Sequence, residues 1–95
     1  ISVHQSDALT YASEYGHLEL VKYLVENGCN VSNSQSLENA SRNGHLEVVK
    51  YLLEHGANPC IKSVRLSSEY GRLQVLKYLI EKSNNIFVRK DGLIY

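Results

Sequence analysis

The chain has 95 residues, with ten basic side chains balanced by ten acidic ones. That balance argues against a general nucleic-acid binder or a binder of acidic membranes, both of which need a basic excess, and no apolar run approaches the roughly 20 residues that span a bilayer. The length suits one domain with a modest core, and a chain that starts at Ile1 and holds no Met is expected to be cut from something longer.

The first predicted element is a helix over Asp7–Tyr15, with Asp7 as its N-cap and Leu9 opening its apolar face. Its middle is slim at Ala12-Ser13. Gly16 ends it, and a second helix starts within two residues, so the two lie antiparallel. In that second helix Leu18, Val21, Leu24 and Val25 stand at offsets of 0, 3, 6 and 7, which form one apolar stripe. Lys22 and Glu26 take the wet face, and Gly28 follows where a left-handed C-cap suits glycine. The pair then returns. Ser36–Asn43, capped by Ser34 or Ser36, opens on Leu37 and narrows at Ala40-Ser41. Past Gly44 the stripe is Leu46, Val49, Leu52 and Leu53, with Lys50 and Glu54 outside and Gly56 after it. In the third pair Ser63 caps Ser63–Tyr70, which opens on Val64 and narrows at Ser67-Ser68. Past Gly71 come Leu73, Leu76, Leu79 and Ile80, with Lys77 and Glu81 outside and Ser83 in the place of the glycine.

The steps from Tyr23 to Tyr51 to Tyr78 are 28 and 27 residues. A period in this range means stacked supersecondary units, each unable to bury its apolar face alone. Asp91-Gly92-Leu93-Ile94-Tyr95 matches Asp7-Ala8-Leu9-Thr10-Tyr11, with Tyr11 and Tyr95 84 residues apart, and Ile86, Phe87 and Val88 lead into it. The fold class is therefore all-α: a helical solenoid of three complete helix-turn-helix repeats, about 7–33, 34–61 and 62–90, plus the start of a fourth at 91–95. The third unit is expected to be the weakest, since Ser83 and Ser67 replace better residues.

Candidate chemistry is sparse. His17 and His45 recur after the glycine and Arg72 takes that place in the third unit, but no second element supplies partners for acid–base or metal work. They are read as hydrogen-bonding across the helix–helix turn; His4 and His55 have no repeated context. The ladder Tyr23, Tyr51, Tyr78 reads as packing between repeats with the hydroxyl left wet, although an aromatic ladder also suits a binding stripe. Cys29 and Cys60 are too few and too far apart for a disulfide framework or a zinc site. They are read as free thiols in a reducing compartment, the cytoplasm or nucleus. The Asn-x-Ser triplets at Asn30 and Asn39 read as chance. No phosphate loop, nucleophile elbow or metal spacing is present, so no enzyme activity, cofactor, metal or small-molecule substrate is expected.

Gly-His-Leu-Glu-Val-Val-Lys-Tyr-Leu-Leu-Glu-His-Gly-Ala-Asn at Gly44–Asn58, with Ala40-Ser41-Arg42-Asn43 before it, closely resembles the ankyrin repeat. The resemblance covers nearly the whole chain. It implies a curved solenoid that binds another protein, with the two residues before each Gly-His turn facing the concave groove. Here those are Glu14-Tyr15, Arg42-Asn43 and Glu69-Tyr70. Thr10, Glu38 and Arg65 lie one turn earlier, with Tyr11 and Asn39 beside them. Tyr and Arg are the types most enriched at binding hot spots. Two departures stand out. The family period is about 33 residues, so the β-hairpin fingers are shortened here, and Ser36-Leu37-Glu38 and Ser63-Val64-Arg65 replace the Thr-Pro-Leu-His signature. The short finger together with the Gly-His-Leu-Glu-Val-Val-Lys-Tyr-Leu run also resembles ankyrin arrays of giant DNA viruses that infect amoebae, which would place the protein in an infected host cell. Two readings stay open: a protein–protein interaction module acting through the concave face, or a spacer that positions another domain, such as a ubiquitin-ligase recruiting module.

Overall fold

Apolar residues at helical spacing, broken at fixed intervals by glycine, fold into six helices among the described residues. They are α1 (Ser2–Glu14), α2 (Leu18–Glu26), α3 (Ser34–Asn43), α4 (Leu46–Glu54), α5 (Ile61–Glu69) and α6 (Leu73–Ser83). The computed structural model describes residues 2–32 and 34–83, and the side chains of 7–32 and 34–82. The expected fourth repeat at 91–95, its lead-in Ile86, Phe87 and Val88, the side chain of His4 and the cap at Ser83 lie outside the described residues. Among those described there is no strand.

The helix ends are set by glycine in the left-handed region. At the first turn the His17 amide donates to the Ala12 carbonyl at 2.9 Å and the Gly16 amide to Ser13 at 3.3 Å, with Gly16 at φ +73°. This is the Schellman arrangement, and it recurs at Gly44 and Gly71. It recurs again after the second helices, where Cys29 donates to Leu24 at 3.0 Å and Ala57 to Leu52 at 2.9 Å, as the caps at Gly28 and Gly56 require. The motif favours an apolar contact from the residue after the glycine. Cys29 and Ala57 hold that place and both are buried. The cysteine is there as a small apolar side chain.

The N-termini differ from expectation. Asp7 lies inside α1, and Ser36 and Ser63 are fully buried within α3 and α5 rather than capping them. Cys60, extended at φ −134° and ψ 159°, precedes α5, and its carbonyl accepts the Ser63 and Val64 amides at 3.1 and 3.3 Å. Ser36 is packed for its size, its hydroxyl meeting no partner, whereas the Ser63 hydroxyl lies 3.3 Å from Cys60 Sγ at the start of α5. The hairpin finger is reduced further than expected, to a turn at Val31-Ser32 in which Asn30 Oδ1 accepts the Ser32 amide at 2.9 Å.

Two rows build the stack: α1, α3 and α5 side by side, and α2, α4 and α6 behind them. Contacts are much denser within the first row. Its side chains explain this, because Ala12, Ser13, Ala40, Ser41, Ser63 and Ser67 are all buried and small. The second row is held apart by leucines and tyrosines. A stack that is tighter on one row bends toward it, so the first helices line the inner side. Between the rows lie Leu9, Val21, Leu37, Val49, Leu52 and Leu79, all essentially inaccessible.

The apolar stripes need two corrections. Val48 and Val75, left out of them, are buried at 1%, whereas Leu73 and Ile80, placed in them, are 57% and 43% exposed. Leu20, the counterpart of Val48 and Val75, is also exposed. The reason is directional. Each second helix carries one set of residues toward the preceding repeat and another toward the following one, and only the middle helix has both neighbours in the described structure.

Candidate functional site

Two of the three Gly-His or Gly-Arg turns, at His45 and Arg72, join the repeats. His45 Nε2 lies 2.9 Å from the Glu14 carbonyl oxygen, so the ring nitrogen carries the proton and donates it. One unit further on, Arg72 Nε donates to the Arg42 carbonyl at 2.9 Å. Glu14 and Arg42 hold equivalent places at the ends of α1 and α3. Each turn thus reaches back one repeat and satisfies a carbonyl that the helix end leaves over. The sequence reading placed these bonds across the turn itself; they run between units. Asn43 Nδ2 adds a bond of 3.0 Å to the same Glu14 carbonyl. Glycine is needed below for a second reason. A Cβ on Gly16 would stand 2.5 Å from His45 Nδ1, and one on Gly44 2.8 Å from Arg72 Cδ.

The outer row repeats this coupling with aromatic rings. Leu18 and Lys22 line one shallow cleft with Glu47, Tyr51 and Glu54 of the next unit. Leu46 and Lys50 line the equivalent cleft with Gln74, Tyr78 and Glu81. Burial pushes the Tyr51 hydroxyl above its ordinary range, and the Glu26 carboxylate of the preceding unit pushes it further. The Lys50 ammonium sits 5.7 Å from the Tyr78 ring centre, within cation–π reach. The ladder is therefore packing between repeats at Tyr51 and Tyr78, while Tyr23, with no described unit before it, is 62% exposed. His55, which had no repeated context, donates from Nδ1 to the Tyr51 carbonyl at 2.9 Å, as Asn27 Nδ2 does to Tyr23 at 2.7 Å. Both close the end of a second helix.

On the inner side the predicted residues divide into two kinds. Those of the middle unit are engaged within the protein: Arg42 donates to Asn39 Oδ1, Asn43 holds the Glu14 carbonyl, and Glu38 is 3.6 Å from the Lys62 ammonium. Thr10 and Glu14 are half-buried. Tyr11, Tyr15, Arg65, Glu69 and Tyr70 stand out into solvent, with the tyrosines 61%, 63% and 49% exposed. The repeat pattern alone could not separate these groups, because Tyr15, Asn43 and Tyr70 occupy one register. Lys62 was missed as well; its signal was a single charge at the start of a first helix.

Among the described residues no group of three His, Cys, Asp or Glu could hold a metal ion. Nor, among the described residues, is any helix long and apolar enough to cross a membrane. Among the described residues the two clefts are open and lined by charged side chains together with Leu18 and Tyr51 in one and Leu46 and Tyr78 in the other.

The family model for ankyrin repeats, in three copies, matches residues 2–63. The chain belongs to the ankyrin-repeat family. No curated protein matches it closely enough to count. The third unit lies mostly beyond the matched residues; α5 and α6 repeat the turn at Gly71, and Arg72 repeats the carbonyl bond that His45 makes in the second unit. Ankyrin repeats generally serve protein–protein interaction and are typically non-enzymatic.

Proposed function

We propose that this ankyrin array binds another protein through the inner surface of α1, α3 and α5, as part of a longer array. The observation that carries the reading is the exposure of Tyr11, Tyr15 and Tyr70 on that row. Aromatic rings left half or more in water leave apolar surface that folding does not use, and Tyr is among the residue types that dominate interface energetics. Arg65 and Glu69 stand beside them. The middle unit contributes shape rather than free contacts, so the partner would touch Tyr11 and Tyr15 at one end and Arg65, Glu69 and Tyr70 at the other, with Thr10, Glu14, Glu38, Asn39, Arg42 and Asn43 forming the floor.

The spacer reading draws support from that same floor, whose polar groups are spent on bonds inside the protein. The two readings separate in a partner screen followed by alanine substitution at Tyr15 and Tyr70. Loss of the partner supports the binding module. Retention of every partner in the doubly substituted protein supports the spacer. Substitutions at Lys22 and Lys77 on the outer row serve as controls, and loss there alone would move the contact to the convex side. An intracellular setting is part of the same proposal and rests on the two thiols. A source among giant viruses of amoebae rests on the short turns.

A further inference from the structure

Among the described asparagines two precede glycine, Asn27 before Gly28 and Asn43 before Gly44. An asparagine so placed is the most prone to lose its side-chain amide. The backbone nitrogen of the second residue attacks the side-chain carbonyl carbon of the first, and glycine has no Cβ in the way. The other described asparagines are poor candidates. Branched Val31 follows Asn30, Ala40 after Asn39 lies inside α3, and Pro59 after Asn58 has no N–H.

The two places differ in what holds them. Asn43 is tied from both sides. Its Nδ2 donates to the Glu14 carbonyl of the first unit at 3.0 Å, and from the third unit Arg72 lies over Gly44 with its Nε on the Arg42 carbonyl. This turn cannot open unless the junctions between repeats open with it. At Asn27 the described bonds stay within one helix. Its Nδ2 donates to the Tyr23 carbonyl at 2.7 Å and the Gly28 amide to Val25 at 3.0 Å. No atom stands within 4 Å of where a Cβ on Gly28 would be. Asn27 and Gly28 are exposed, and so are His55 and Gly56, their counterparts in the middle unit with a neighbour on each side. The openness therefore belongs to the register and not to the place of the first unit in the stack.

We propose that Asn27 is a self-modification site, at which the protein deamidates and loosens α2 while Asn43 is spared. Fraying at the end of α2 frees the Gly28 amide. Solvent base removes its proton, the nitrogen bonds to Asn27 Cγ, and the side-chain nitrogen leaves as ammonia after taking a proton from water. Water then opens the five-membered imide at one carbonyl or the other, giving aspartate or isoaspartate. Both products put a new negative charge at a helix C-terminus, where the carbonyls disfavour an anion, next to Glu26. Both also lose the donor to the Tyr23 carbonyl. Isoaspartate adds an atom to the backbone as well, which shifts the Cys29 amide off the Leu24 carbonyl that closes the helix.

The test ages the folded full chain in heavy-oxygen water at mildly alkaline pH, with a parallel sample in concentrated urea. Tandem mass spectrometry of proteolytic peptides then locates the heavy label and the isoaspartate. In the folded protein both are expected first at Asn27, with Asn43 lagging by about tenfold or more, since its opening also breaks hydrogen bonds between repeats. In urea, where sequence alone decides, both places are expected to react together. The acidic form, separated by ion exchange, should unfold at lower urea than the parent. Asn27→His, which copies His55 and its bond to the helix end, should stop the acidic form from accumulating. Label that appears first at any other residue, or an Asn43 that keeps pace with Asn27 in the folded protein, overturns the proposal. So does a folded chain left unlabelled at Asn27 while the urea sample reacts, and so does an acidic form as stable as the parent.

Discussion

Replacing Gly16 by alanine tests how the repeats are coupled. Gly16 sits at φ +73°, and the new Cβ would stand 2.5 Å from Nδ1 of His45, whose ring belongs to the next unit. The left-handed backbone alone costs an L-residue roughly 1–2 kcal/mol. The imidazole must then move off, giving up its 2.9 Å bond to the Glu14 carbonyl, worth about 0.5–1.5 kcal/mol. The expected loss is about 2–3 kcal/mol, near 4–8 °C of melting temperature for each kcal/mol in a domain of this size. In a His45→Ala background the ring is gone, so Gly16→Ala should retain only the backbone term. A double-mutant cycle read by urea unfolding isolates the difference. Gly71→Ala, at φ +69° with open space around the added carbon, should likewise lose only the backbone term. Gly44→Ala should fall between, because the Arg72 side chain it meets is flexible. If Gly16→Ala costs the same with and without His45, the turn does not couple the units through that ring.

Four further outcomes are expected. Leu52, fully buried between both neighbours, should cost about 2–5 kcal/mol as alanine, while Glu54→Ala on the exposed face should shift the urea midpoint little; equal shifts would refute the core assignment. Ser41 is fully buried and its hydroxyl meets no partner, so Ser41→Ala should raise stability by about 1 kcal/mol or more, since an unsatisfied buried hydroxyl costs about 1–3 kcal/mol; a lowered midpoint would mean that the hydroxyl is satisfied. Burial pushes the Cys29 thiol above its ordinary range, against a smaller lowering by the Asn30 backbone. The folded state therefore holds that proton more tightly than the unfolded one, so this contribution is full below the unfolded value and is lost as pH rises from there through the folded one. Cys29→Ala, which copies Ala57 at the equivalent place, should flatten the alkaline decline in stability, and an unchanged slope would count against it. Amides in Leu73–Ile80 should exchange faster than those in Leu46–Leu53, because α6 leaves Leu73 and Ile80 open and solenoids open from their ends; equal protection would mean that something covers α6.

What the sequence could carry is set by what a period can carry. Helix pairs, left-handed glycines and the slim inner row were all legible, because each depends on residue type at a fixed place within one unit. What depends on the neighbouring unit was not. Leu20, Val48 and Val75 share a register, yet one is exposed and two are buried, since burial there comes from the unit before. Leu73 and Ile80 fail as core residues for the mirror reason, since their cover would come from the unit after. The site divides along the same line. Tyr15, Asn43 and Tyr70 are equivalent by count, but only asparagine carries an amide short enough to reach the Glu14 carbonyl, so the middle member becomes a tie between units while the tyrosines remain in solvent. His45 and Arg72 show the converse. Two unlike side chains do one job because the job needs an N–H at a given reach and nothing more. Identity along the period therefore points to packing, and a change of residue at one register marks where a unit either finds a new route to the same bond or is released from it. By that rule the released places, Tyr15 and Tyr70 against Asn43, are those at which the proposed partner would bind without costing the stack a bond.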